Sequence, residues 1–256
     1  MRRIRRFREA GRRAEEFEDL DKKADRVPSG IDGLDEMIEG GFERGSVILV
    51  CGDAGSGKTT MALQFLYNGA TKYGEPGIFI TFEESRKSVY KHALPYGWDL
   101  KKLEEKGVFA FVEYKPQQIA EIIKGGSSTV RDAIDSIGAK RIVIDSLTSY
   151  SLLFKTPCEA REASLALFNR LREWECTSMI VSEIILQFGS RRGEAGVEFL
   201  SDSVLLLYYA RQQDMKVRAL EILKMRGTKH SDKICPFKFS ERGIVVFPKD
   251  SVFGRL

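Results

Sequence analysis

The chain has 256 residues, 43% of them hydrophobic and 30% charged, with a formal net charge of +4 at pH 7. No apolar run approaches the roughly 18 to 20 residues of a membrane span, and the start MRRIRRFREAGRR is too charged for a signal peptide. Four scattered cysteines (Cys51, Cys158, Cys176, Cys235) form no C-x-x-C pair, which reads as reduced, mostly buried thiols in a cytoplasmic protein and not as a disulfide frame or zinc site.

The positive charge is local. Residues 1–13 hold seven arginines against one glutamate, so the rest of the chain nets −2, the difference between +4 and +6. We read 1–26 as an arm, basic and then acidic, with Ala14–Arg26 a candidate short helix, and 27–256 as one domain. Such an arm is commonly a solvated tail; nucleic acid, a membrane surface or a protein partner are its other readings.

Past the arm, Val27-Pro28-Ser29-Gly30 signals a turn, and Ile31–Ile38 carries apolar residues at helical spacing up to the stop Gly40-Gly41. Ser46–Cys51 is a short apolar run, as a buried parallel strand is, and the helical stripe of Lys58–Ala70 follows. Further strands are expected at Ile78–Phe82, Val108–Val112, Arg141–Asp145, Met179–Glu183 and Val204–Tyr209, with helical patterns between them, clearest over Glu159–Glu175. Lys216–Met225 and Pro236–Phe247 read as strands joined by a turn. The alternation predicts an α/β fold: a mostly parallel twisted sheet flanked by helices, ending in antiparallel strands. Trp98 and Trp174 are expected to pack and His92 to lie on a surface helix.

The chemistry begins after the first strand. Gly52-Asp53-Ala54-Gly55-Ser56-Gly57-Lys58-Thr59 matches G-x-x-x-x-G-K-[ST] between a strand and a helix. Its glycines let backbone N–H groups curl round phosphate oxygens, and the helix N-terminus adds positive potential. Lys58 would neutralise the β and γ oxygens and the Thr59 hydroxyl would ligate Mg²⁺, with Thr60 completing the binding segment. Asp145 ends the strand Arg141–Asp145, where a carboxylate can hold Mg²⁺ through its water shell; a turn cap is the plainer reading of such an aspartate. Glu83 and Glu84 close the strand at Ile78–Phe82 and can polarise a water, or simply form an acidic turn. If the strand continues, they point in opposite directions.

Together these residues resemble the KaiC-like branch of the RecA superfamily of P-loop ATPases, from about Val27 to Phe247. The landmarks are Pro28–Ser46, the phosphate loop, Phe79–Ser85, Tyr96–Leu100, Arg141–Ser149, Phe199–Val204 and Leu223–His230. The resemblance implies a RecA-type fold, ATP and Mg²⁺ as ligands, slow ATP hydrolysis, and a homohexameric ring with nucleotide at subunit interfaces. It makes Glu83 and Glu84 the paired catalytic glutamates, and Lys224 and Arg226 cations reaching the neighbour's γ-phosphate, with His230 close by. Ser182 and Glu183 match a position that senses the γ-phosphate in RecA-type folds.

The departures bear on function. The clock protein of the family has two tandem copies of the domain and this chain has one. The segment 189–201 lacks the adjacent Ser-Thr pair that the clock protein's second copy phosphorylates, which argues against an autokinase. The expectation is therefore an ATPase acting as a regulatory or signalling switch. A DNA-binding recombinase paralogue is the alternative, suggested by the arginine arm and by Arg191-Arg192. Against it stand the missing aromatic-plus-basic stacking pattern and the lack of a helix-hairpin-helix-like domain. A pure nucleotide-sensing module would have no need of Asp145, Glu83 and Glu84.

Overall fold

The computed structural model describes residues 25–115, 117–118, 129–183, 185–187, 190–192, 196–212, 215–250 and 252. An antiparallel pair, β1 (Arg26–Val27) and β2 (Phe42–Glu43), brackets helix α1 (Leu34–Met37). Strands and helices then alternate: β3 (Val47–Gly52), α2 (Lys58–Lys72), β4 (Gly77–Thr81), α3 (Arg86–Ala93), α4 (Leu100–Glu105) and β5 (Phe109–Glu113). After them come α5 (Thr129–Ile137), β6 (Arg141–Asp145), α6 (Leu147–Ser151), α7 (Pro157–Glu173) and β7 (Thr177–Glu183). The chain continues in strands: β8 (Ile185–Gln187), β9 (Ser190–Arg192), β10 (Ser203–Gln212), β11 (Met215–Met225), β12 (Cys235–Ser240) and β13 (Gly243–Val246).

The main sheet has the order β13-β12-β11-β10-β3-β7-β6-β4-β5. From β10 to β5 every neighbour is parallel; from β10 to β13 every neighbour is antiparallel. β3 is buried at all six residues because helices cover both faces, so its sequence is apolar throughout instead of alternating. Ile48 and Val50 face one core with Met61, Phe65 and Leu66 of α2. Val47, Leu49 and Cys51 face the other, with Leu167, Phe168 and Leu171 of α7. Among the described residues no helix is long and apolar enough to cross a membrane.

Arg141 is fully buried at the start of β6. Its guanidinium pairs with Glu75 at 2.7–2.8 Å, donates to the carbonyls of Phe65 (2.8 Å) and Pro28 (2.9 Å), and lies 4.4 Å from the Phe65 ring centroid. A buried cation persists only with such partners.

Several expectations shift. The helix expected over Ile31–Ile38 shrinks to Leu34–Met37, because Gly33 is left-handed (φ 82) and Glu39, Gly40 and Gly41 all take positive φ. Pro236–Phe247 is a hairpin of two strands, turning at Glu241-Arg242 with Ser240 opposite Gly243. The arm lies outside the described residues up to position 24, and Arg26 opens a strand where the sequence suggested helix. Trp98 packs as expected, buried against Tyr67 and Tyr96.

Candidate functional site: a phosphate loop ringed by strand ends

β3 delivers the loop to the carboxyl end of the sheet, where ligands of open α/β sheets bind. Gly57 is the N-cap of α2, left-handed (φ 105) and without a side-chain cap, so the first N–H groups of the helix stay free for an anion. Both outer glycines are sterically fixed. A Cβ on Gly57 would sit 2.8 Å from the Phe239 ring, and one on Gly52 would sit 2.4 Å from the Leu207 carbonyl oxygen.

A cleft of about 330 Å³ opens above the loop. Gly55, Gly57, Lys58, Thr59 and Thr60 line it from the loop and α2; Glu83, Glu84, Asp145 and Glu183 line it from strand ends. The Lys58 ammonium donates to the carbonyls of Gly52 and Asp53, both at 2.9 Å. Burial pushes its pKa down, against the opposing pull of Glu183, Asp145 and Asp53. The Thr59 hydroxyl donates to Asp145 Oδ2 at 2.6 Å. Burial pushes the Asp145 carboxyl up to about 6; the Thr59 hydrogen bond and Lys58 oppose this, while Glu84 and Glu83 add to it.

Glu83 and Glu84 do not alternate along a strand, because β4 ends at Thr81. The Thr81 hydroxyl oxygen accepts from the backbone N–H of Glu83 (3.3 Å) and of Glu84 (3.1 Å), and this turn sets both residues on the cleft. Glu183 lines the cleft too, whereas Ser182 borders a separate pocket beside Leu147 and Val197. His92, expected as a plain surface residue, is exposed but lies 3.5 Å from Glu84.

Lys224, Arg226 and His230 fall elsewhere. β11 runs antiparallel, so Lys224 pairs with Val204, which pairs in turn with Leu49 of β3. The Arg226 N–H donates to the Asp202 carbonyl, and the Asp202 N–H to that of Val47, each at 2.9 Å. Arg226 therefore sits by the start of β3, the opposite end from Lys58, and Lys224 lies level with Leu49. The Lys224 ammonium donates to the carbonyls of Glu198, Phe199 and Ser201; Arg226 reaches the Phe199 carbonyl and Asp202. Beside them the Phe199 side chain is 72% exposed. His230 follows, its Nδ1 3.2 Å from the Ser231 carbonyl oxygen.

Three contributors escaped the sequence reading. Phe239 of β12 lines the cleft, its ring against Gly57 of the loop. In α6, Thr148 Oγ1 accepts from the Glu183 N–H at 2.8 Å and the Ser149 hydroxyl donates to Glu83. The run of hydroxyls in Ser146-Leu147-Thr148-Ser149, straight after Asp145, was the available signal for the last two.

The residues present fit Mg-ATP. Thr59 and Asp145 offer hard oxygens in mutual contact, as a small divalent cation needs, and the loop supplies a backbone cradle. Among the described residues no group of three or more His, Cys, Asp or Glu is placed to hold a metal.

Known proteins resemble this chain over most of its length. The profile of the family described as "ATPase: KaiC" matches residues 27–251. The circadian clock oscillator protein KaiC of Synechococcus elongatus is 35% identical over 224 residues, 85% of this chain but 43% of the clock protein. The chain thus spans less than half the length of that relative. A UPF0273 protein of Pyrococcus horikoshii is 38% identical over 244 residues, 90% of this chain and 96% of the relative. The crystal structure of a KaiC-like protein from Pyrococcus horikoshii OT3 superposes with a TM-score of 0.79 at 37% identity, covering 88% of this chain and all of that one. With its phosphate loop, strand-end carboxylates and sheet order, this chain belongs to the KaiC ATPase family.

Proposed function

We propose that the protein hydrolyses Mg-ATP in a homohexameric ring and serves as a nucleotide-driven switch for a partner. The observation that carries hydrolysis, beyond binding, is the convergence of Glu83 and Glu84 on the cleft that holds Lys58, Thr59 and Asp145. Phosphates seat on the loop N–H groups, with Lys58 turning from the loop carbonyls to the β and γ oxygens. Thr59 and Asp145 would hold Mg²⁺, which when bound draws charge from those oxygens. Glu83 takes a proton from the water that attacks the γ-phosphorus, and the γ-phosphorus–oxygen bond to ADP breaks. Phe239 lines the cleft beside the loop and gives the nucleoside an apolar wall.

Assembly is supported by the separation of Lys224 and Arg226 from the cleft of their own subunit. Two cations beside an exposed Phe199 make a face suited to a second copy, whose phosphates they would reach. The test is the double replacement Glu83→Gln plus Glu84→Gln. ATP binding should persist and turnover should fall by at least 100-fold, on the order of the general-base contribution; normal turnover would remove the base assignment.

A DNA-linked role is a second reading. Lys216 and Arg218 lie 4.8 and 4.2 Å from the Tyr209 ring centroid, a small basic-aromatic cluster. Single-stranded DNA should leave the rate unchanged; a severalfold rise would favour this reading.

A further inference from the structure

The two glutamates are held by different elements. Glu84 Oε2 accepts from the Ser88 hydroxyl at 2.9 Å and lies 3.5 Å from the His92 imidazole, both on α3. The Glu83 carboxylate accepts from the Ser149 hydroxyl of α6, 66 residues away in sequence.

The first turn of α6 is built to aim that hydroxyl. Ser146 caps the helix directly after Asp145, its Oγ accepting from the Ser149 N–H at 3.4 Å, and the two hydroxyl oxygens lie 3.2 Å apart. Thr148, between them, is tied to the Glu183 N–H at the end of β7. One helical turn thus links the ends of β6 and β7 to the chain leaving β4, the three places that supply Asp145, Glu183 and Glu83. Glu83 is itself exposed, and its side chain has three torsions for that hydrogen bond to select among.

We infer that Ser149 is a positioning residue for Glu83. Its hydroxyl fixes one carboxylate oxygen and leaves the other for the water, so that Glu83 and not Glu84 accepts the proton. The inference rests on the glutamate-base reading above. It does not place Ser149 on substrate: Ser149 acts through Glu83, and general-base geometry is sensitive to displacements of about 1 Å.

The test uses the whole chain and four variants. Ser149→Ala should lower kcat about tenfold with an unchanged ATP dissociation constant, since the phosphate cradle is untouched. Ser149→Thr, which keeps the hydroxyl, should restore most of the rate. In a Glu83→Gln background, adding Ser149→Ala should change nothing further, because the group it positions is gone. The inference is overturned if Ser149→Ala retains wild-type kcat while Glu83→Gln is inactive, or if Ser149→Ala slows Glu83→Gln by the same factor as wild type. Full activity of Glu83→Gln is a separate result, which removes the base reading and the positioning role with it.

Discussion

The Thr59 hydroxyl donates to Asp145 across 86 residues of sequence, joining the first turn of α2 to the end of β6. Both oxygens lie where a metal at the nucleotide phosphates would be held. Asp145→Asn keeps the shape and the acceptor but loses the charge. It should weaken Mg-dependent ATP binding by about 10- to 100-fold, and leave binding in excess EDTA within a few-fold of wild type. Calorimetric titration with and without EDTA reads both. Equal losses in the two conditions would place Asp145 in the cradle and not at the metal.

The placement of Arg226 and Lys58 at opposite ends of β3 leads to a complementation experiment. Arg226→Ala and Lys58→Ala subunits should each be inactive alone. Mixed, some interfaces pair an intact loop with an intact arginine, and activity should reappear in proportion to those interfaces. No recovery in mixtures shown by mass to have assembled would count against action across an interface.

Gly57 tests the loop itself. At φ 105, with its prospective Cβ 2.8 Å from the Phe239 ring, it has no room for a side chain. Gly57→Ala should abolish measurable ATP binding while the circular dichroism spectrum stays native. Gly57→Ala combined with Phe239→Ala removes the clash but not the strain, so binding should stay impaired. Full recovery in the double variant would assign the effect to the ring alone.

The Arg141–Glu75 pair carries a stability prediction far from the chemistry. Glu75→Ala leaves a fully buried guanidinium without its counter-charge, which should cost about 3–5 kcal/mol. A shift of the urea midpoint with unchanged slope reports it. A loss under 1 kcal/mol would mean that the Phe65 and Pro28 carbonyls and the Phe65 ring suffice to hold the cation.

What the sequence disclosed follows from how locally each feature is encoded. The phosphate loop is eight consecutive residues whose chemistry depends on one another, so the pattern alone located it. β3, β4 and β6 were legible because strands covered on both faces carry unbroken apolar runs, VILVC, IFI and IVI. The α1 boundary was not, because it is set by Gly33, whose prospective Cβ would lie 2.1 Å from the Val246 carbonyl oxygen at the far end of the chain. Nor could composition show that Arg141 is buried or that Ser149 meets Glu83, since both depend on partners 66 residues away in sequence. The role proposed for Lys224 and Arg226 came only through family resemblance, because within the chain both bond to the 198–202 segment, away from the cleft.

The most direct test of the account is the steady-state release of phosphate from ATP by the purified, assembled protein. It should be run beside Lys58→Ala and with Mg²⁺ present or chelated. We predict a Mg-dependent rate that Lys58→Ala and EDTA each reduce to background. A rate no higher than that of Lys58→Ala, in a protein that binds ATP and has assembled, would contradict hydrolysis and leave a nucleotide-binding module without turnover.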